Sequence, residues 1–330
     1  MLADLNKLAQ KSSGAIAVET LPEAKHELRL LTSPATESVK LAARPFHTHI
    51  APAVRTVSYS SLLRDSADDR PDYDALTGES AETGPETGIH AFPRGASAGR
   101  CIHAIFEHID FTDGNALQAT VTVELSRHGF SEEWTATLAD MIGNVLATPL
   151  LSQIDLRLAG IHLNQRLNEL EFCYPLKPFA GRDLLRLLAA HGAAPGLRQQ
   201  VEDLNIDLGR GYMKGYIDLI FESSGRWYLA DYKSNWLGPG TGDYTDDRIL
   251  AEMNRERYGL QYLIYTLALH RFLKARLRDY DYARHVGGVF YLFVRGMEPA
   301  RATGVFHDRP SAALIEALDA LIADRREVAA

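Results

Sequence analysis

The sequence predicts an α/β fold, a central mixed β-sheet flanked by helices, with additional helices ahead of it. Three observations carry this. Residues 216–221 and 227–232 are β-branched and aromatic runs on either side of Ser223-Ser224-Gly225, the pattern of a β-hairpin. Two further strands flank it in sequence: residues 167–174, where Leu170, Phe172 and Tyr174 alternate with Glu169, Glu171 and Cys173, and the apolar run 286–294. Segments with helical spacing lie between and around them, as in 97–110, where Ile102, Ile105, Phe106 and Ile109 recur at the helical period.

Composition narrows the class. Of 330 residues, 46% are hydrophobic and 24% charged, as in a soluble globular protein. No apolar run approaches the roughly 18 residues of a membrane span, and the start, Met-Leu-Ala-Asp-Leu-Asn-Lys-Leu, lacks the basic-then-apolar order of a secretory signal. Two cysteines, Cys101 and Cys173, exclude a disulfide framework, a four-cysteine zinc site and a cysteine-ligated iron–sulfur cluster. A reducing cytoplasm is the expected compartment. The net charge of −8 is concentrated: residues 65–88 hold eight acids against Arg70, a local −7. The remainder is nearly neutral, which leaves room for a basic groove.

Along the chain, 2–10 reads as a helix end and 15–21 as a short strand. The whole of 1–50 is therefore expected to be a connector or the tail of a preceding module. Residues 51–64 contain Ser58-Tyr59-Ser60-Ser61-Leu62, a strand end entering a serine-capped helix. Residues 65–95, rich in Asp, Glu, Gly, Ser, Thr and Pro, are expected to be a disordered linker. The main domain is expected over 96–330. Helices follow at 115–128 and 131–147, the second capped by Ser131, and at 182–190; residues 191–211 read as mostly loop and 236–247 as a glycine-rich loop. A long helical segment spans 249–277 with Gly259 as a joint, and Tyr258, Gln261 and Tyr265 share one face of it. Pro310 and Ser311 open a last helix running to 328. There is no internal repeat, and no G-x-x-x-x-G-K-[ST] to drive a nucleotide motor.

The hairpin is where chemistry concentrates. A turn centred between Ser224 and Gly225 sets Glu222 opposite Trp227 and Asp218 opposite Asp231, with Lys233 on the same face. Two carboxylates that close repel unless a cation lies between them. A hard divalent ion with carboxylate, water and phosphate oxygens answers that need. A surface salt bridge with Lys233 answers it too, and a one-residue slip would part the two aspartates altogether. On the flanking strand, alternation places Glu169 and Glu171 on one face and leaves the choice between them open. His103 and Glu107 stand one turn apart on the 97–110 helix.

Taken together, Gly99–Glu107, Asn168-Glu169-Leu170-Glu171-Phe172, Gly215-Tyr216-Ile217-Asp218, Asp231-Tyr232-Lys233 and Gln261–Tyr265 resemble the PD-(D/E)xK nuclease superfamily. Within it they are most similar to the nuclease domains of RecB-type helicase–nucleases. Each motif is weak alone; five in order across most of the chain are specific. The resemblance implies a restriction-endonuclease-like core and a Mg²⁺-dependent deoxyribonuclease, with Mn²⁺ able to substitute and Ca²⁺ able to bind without supporting cleavage. It implies metal ligation by Asp218, Asp231, His103 and the Tyr232 backbone carbonyl, with Glu169 as a further candidate favoured over Glu171. It assigns Lys233 to activation of the attacking water and to charge on the phosphate, and Gln261 and Tyr265 to positioning Lys233 or holding DNA. Single-stranded DNA ends, RecC- and RecD-like subunits and the RecA recombinase are the implied partners, in double-strand-break repair and recombination. The iron–sulfur variant does not fit two cysteines. Helicase motifs are missing, so the chain is expected to be a fragment or separate nuclease piece unable to unwind DNA. The competing readings are a docking module with a vestigial site and an unrelated metal-dependent phosphoesterase. Trp236 is read as capping the core or stacking on a base, and Tyr258 as packing.

Overall fold

Alternating apolar side chains make the hairpin the spine of a six-stranded mixed sheet. The computed structural model describes residues 2–20, 54–62, 87–204 and 206–323. The chain divides into two units, 1–50 and 51–330. In the first, α1 (Leu2–Lys11) leaves Leu2, Leu5 and Leu8 exposed. The strand expected at 15–21 does not form over the described residues 15–20, which have no ladder partner there.

The second unit opens with β1 (Arg55–Val57) and α2 (Tyr59–Leu62). Ser58 and Ser61 exchange hydrogen bonds at this junction, Ser58 N–H to Ser61 Oγ at 2.8 Å and Ser61 N–H to Ser58 Oγ at 3.2 Å, which satisfies the first orphan amides of the helix. Most of the acidic segment lies outside the described residues. Its expected end at 95 is corrected: a 3₁₀ turn forms at Gly88–Ala91, and Phe92 is buried against Phe130 and Trp134. The acids stop at Glu86, and the apolar residues after it are held by a buried guanidinium. Arg295 donates to the carbonyls of Ile89 (2.7 Å), Phe92 (3.0 Å), Pro93 (2.6 Å) and Ser234 (2.8 Å).

Next come α3 (Ala96–His108), α4 (Leu117–Arg127) and α5 (Thr135–Ala147). Ile102, Ile105, Leu125, Leu138 and Ile142 pack them onto one face of the sheet. The chain continues through β2 (Arg166–Leu176), β3 (Phe179–Ala180), α6 (Gly181–Ala190), α7 (Pro195–Glu202) and β4 (Asp207–Leu208). Helix α7 replaces part of the loop expected at 191–211. It is short, but Pro195 stands in its first turn and Leu197 and Val201 form its buried stripe.

The hairpin is β5 (Gly211–Ser223) and β6 (Arg226–Lys233). Then follow α8 (Asp246–Arg255), α9 (Tyr258–Arg276), α10 (Tyr282–His285), β7 (Val286–Phe293), β8 (Val305–Asp308) and α11 (Ala312–Ile322). The expected joint at Gly259 lies at Arg257 instead, whose φ of 59° stops α8. Gly259 has another use: a Cβ there would sit 3.0 Å from Gln200 Oε1 and 3.1 Å from Leu197, so its absence admits α7. Strand β8 was not anticipated. Ser311 caps α11 by accepting from Leu314 N–H, and of the extension expected to 328, residues 324–330 lie outside the described residues while 323 has left the helix.

The sheet order is β1-β5-β6-β7-β8, with β2 on the other edge of β5. β1–β5 and β6–β7 are parallel; the other pairs are antiparallel. Its second face is covered by α6, α7, α9 and α11 through Leu188, Val201, Leu269 and Ile315. Among the described residues no helix is long and apolar enough to cross a membrane.

Candidate active site

The hairpin turn determines the geometry. Ser224 (φ 54°) and Gly225 (φ 78°) are both left-handed, the type I′ arrangement whose twist matches the flanking strands. Glu222 fastens it by accepting from Gly225 N–H at 2.6 Å. The ladder then runs from Ser223↔Arg226 to Leu219↔Ala230, the spacing the sequence implies. It ends one rung before Asp218 and Asp231. There the Asp218 side chain takes over from the backbone, its Oδ2 accepting from Tyr232 N–H at 2.8 Å.

The same rung is interrupted on the other side of β5. β2 pairs through Asn168↔Leu219 and resumes at Leu170↔Ile217, passing over Glu169 and Asp218. Glu169 is left-handed, with φ 48°, a strained choice for a residue with a Cβ. Both strands change facing here. In β2, Phe172, Tyr174 and Leu176 pack in the α9 layer, yet Asn168 Nδ2 donates to Glu107 O (2.8 Å) and Arg166 to Ile109 O (2.6 Å), both at α3. In β5, Met213 and Ile217 face α9, whereas Leu219 and Phe221 face α3. Three carboxylates, Glu169, Asp218 and Asp231, thus occupy one level of three adjacent strands where the ladder opens.

This corrects the expectation that Glu169 and Glu171 share a face, because alternation fails at a left-handed residue. Glu171 points to solvent, paired with Lys214 Nζ at 3.0 Å and accepting from Tyr216 OH at 3.0 Å. Glu169 instead joins His103 and Asp218: each offers a ligand atom, all within 4.8 Å of one another. His103 Nδ1 lies 3.4 Å from Asp218 Oδ2. Its helix is placed by Phe106, which stacks on the Tyr232 ring at 4.0 Å, and the His103 imidazole meets that ring edge-on at 6.1 Å.

Asp231 and Lys233 lie deeper, on the α9 side, each 3% exposed. Lys233 Nζ is 2.9 Å from Asp231 Oδ1, a buried ion pair. The ammonium donates to Gln261 Oε1 at 3.2 Å and sits 3.9 Å over the Tyr258 ring. Gln261 also accepts from Tyr291 OH (2.9 Å), and its Nε2 donates to Tyr265 OH (3.2 Å). Tyr258 is therefore a contact of the lysine as well as packing. Tyr291 was missed; it stands opposite Asp231 in the β6–β7 register, inside a run whose apolar character hid it. Trp236 is covered by the Arg94 guanidinium at 3.8 Å.

Electrostatics separates the three acids. Burial pushes Glu169 up to about 7, with Asp218 adding repulsion and His103 opposing it. Burial likewise pushes Asp231 up to about 7, against the pull of Lys233 and with the repulsion of Asp218. Burial opposes ionisation of Asp218 too, but His103, the Tyr232 amide and Lys233 together hold its carboxyl below the ordinary range. An imidazole nitrogen and two carboxylate oxygens that converge, with more buried negative charge than the nearby cations settle, fit a divalent ion.

The chain matches the profile of the PD-(D/E)XK nuclease superfamily over residues 79–329. It is 39% identical over 280 residues to the RecBCD enzyme subunit RecB of Escherichia coli, covering 82% of this chain and 23% of that protein. The RecB subunit of Haemophilus influenzae is 38% identical over 259 residues (76% and 21%), and that of Mycobacterium tuberculosis 36% over 327 (84% and 29%). The chain thus spans less than a third of the length of these relatives.

Proposed function

This chain belongs to the PD-(D/E)XK nuclease superfamily, and from that premise we propose that it is the nuclease domain of a RecBCD-type helicase–nuclease, hydrolysing single-stranded DNA ends with Mg²⁺ in double-strand-break repair and recombination. Asp218, Asp231, His103, Glu169 and the Tyr232 carbonyl would hold the ion. When bound, the ion lowers the pKa of a coordinated water and polarises the phosphodiester. The protein's own part is orientation and charge. Lys233, tethered by Asp231 and Gln261, directs the attacking water and stabilises negative charge building on the phosphate. Gln261, held between Tyr291 and Tyr265, keeps the ammonium from swinging away. Residues 1–50 serve as the connector to a helicase module, RecC- and RecD-like subunits and RecA are the partners, and the cytoplasm is the compartment.

The observation that supports this best is the open rung, three carboxylates across β2, β5 and β6 with an imidazole on one side and an ammonium on the other. The test is cleavage of single-stranded DNA by the purified chain. Mg²⁺ should support it, and EDTA or Lys233→Ala should end it. Equal cleavage in EDTA would overturn the metal chemistry. DNA or partner binding without any cleavage would make the chain a docking module.

A further inference from the structure

The first half of β5 presents a surface that the proposed chemistry leaves unused. Met213 and Ile217 face the α9 layer, so Tyr212, Lys214 and Tyr216 point to the opposite face. Helices α3–α5 cover that face from Leu219 onward. Before it, among the described residues, the β2–β5 ribbon is an open floor, with Tyr212 40% and Tyr216 47% exposed. The floor ends at the Glu169–Asp218 rung, on the side where α3 delivers His103. Tyr216 stands about 7 Å and Tyr212 about 20 Å along the strand from Asp218.

The rings are arranged rather than loose. Tyr216 OH donates to Glu171 Oε2 at 3.0 Å, Lys214 Nζ lies 3.0 Å from Glu171 Oε1, and the same ammonium is 5.7 Å from the Tyr216 ring centre. Glu171 is thereby neutralised and fixes the tilt of the ring. Arg210, also exposed, precedes the strand. Exposed aromatics at spaced positions with a cation between them form a stacking platform for unpaired bases, because every base has a π-face and every phosphate a negative charge. A duplex keeps its bases inside and cannot use it.

We infer that Tyr212, Lys214 and Tyr216 form the track on which single-stranded DNA approaches the carboxylate cluster, bases stacking on the two tyrosine rings and the Lys214 ammonium, shared with Glu171, donating a further hydrogen bond to a phosphate. The inference rests on the nuclease reading and gives its single-strand preference a physical origin. Continuity supports DNA over a protein partner: track and cluster share one strand and one face, with no element between them among the described residues.

The test measures steady-state cleavage of a short oligothymidylate with Mg²⁺ by the 330-residue chain. Tyr212→Ala and Tyr216→Ala should each raise KM about fivefold or more, the loss of one base–aromatic stack, with kcat nearly unchanged. Tyr→Phe at either position should restore KM, and an abasic oligonucleotide should erase the difference between Ala variants and wild type. A Tyr216→Trp chain should show fluorescence quenching by oligothymidylate, which reads the contact independently of cleavage. Unchanged KM in both Ala variants, or equal defects on normal and abasic strands, would overturn the track. Absence of quenching would do the same, and so would a defect confined to binding a protein subunit. Quenching with no cleavage by wild type would keep the track and overturn the nuclease reading instead.

Discussion

β5 passes through two environments, and Asp218 marks the boundary. From Leu219 to Phe221 it is buried on both faces, between α3–α5 and the α9 layer. From Gly211 to Ile217 only one face is covered among the described residues. The closed half supplies rigidity and low dielectric: Lys233 and Asp231, on the neighbouring strand, are fixed by buried partners. The open half supplies access. Chemistry at the boundary can therefore use a locked ammonium on one side and admit ion, water and substrate from the other.

The sharpest way to break this contrast is on the closed side. Lys233→Ala should lower cleavage about 10²- to 10³-fold or more. Added Mg²⁺ should not restore it, since the locked charge itself is gone. At the boundary the deficit should be one of affinity. His103→Ala or Glu169→Gln should raise the Mg²⁺ needed for half-maximal cleavage about tenfold or more, with recovery at high Mg²⁺. If both classes respond alike to Mg²⁺, the two halves are not functionally distinct.

Stability should separate the regions as well. Arg295→Met leaves the carbonyls of Ile89, Phe92, Pro93 and Ser234 without that donor, at a cost of about 3 kcal/mol or more in urea unfolding. Gly215→Ala, on the covered face of the open half, would bring a Cβ to 2.6 Å from the Phe172 ring, at about 1–3 kcal/mol. The smallest effect is pH-dependent. Burial lowers the His270 pKa below its ordinary 6.5, and its Nε2 has no hydrogen-bond partner. The unfolded chain then takes up this proton first, so stability is lost as pH falls below about 6.5. His270→Gln should flatten that slope in melting temperature against pH.

Much of this was legible because it is local. The turn residues Ser224 and Gly225 specify the hairpin and its register, Ser58 and Ser311 announce helix starts, and Ser131 caps the 3₁₀ turn Glu132–Trp134 that leads into α5. The facing of Glu169 was not legible: alternation assumes extended backbone, and its left-handed conformation answers to the opened rung, a tertiary feature. Tyr291 was hidden because a hydroxyl inside an apolar strand becomes informative only once Gln261 is placed beside it. Arg295 was invisible for the same reason; its acceptors lie about 60 and 200 residues away in sequence.

The central claim is that the open rung holds a divalent ion. Anomalous diffraction from crystals of the chain soaked in Mn²⁺ tests it most directly. The account predicts a peak bounded by His103, Glu169 and Asp218, absent or much reduced in Asp218→Asn crystals of the same form. A Mn²⁺ peak elsewhere with this cluster empty, in crystals whose protein cleaves DNA in Mn²⁺, would contradict it.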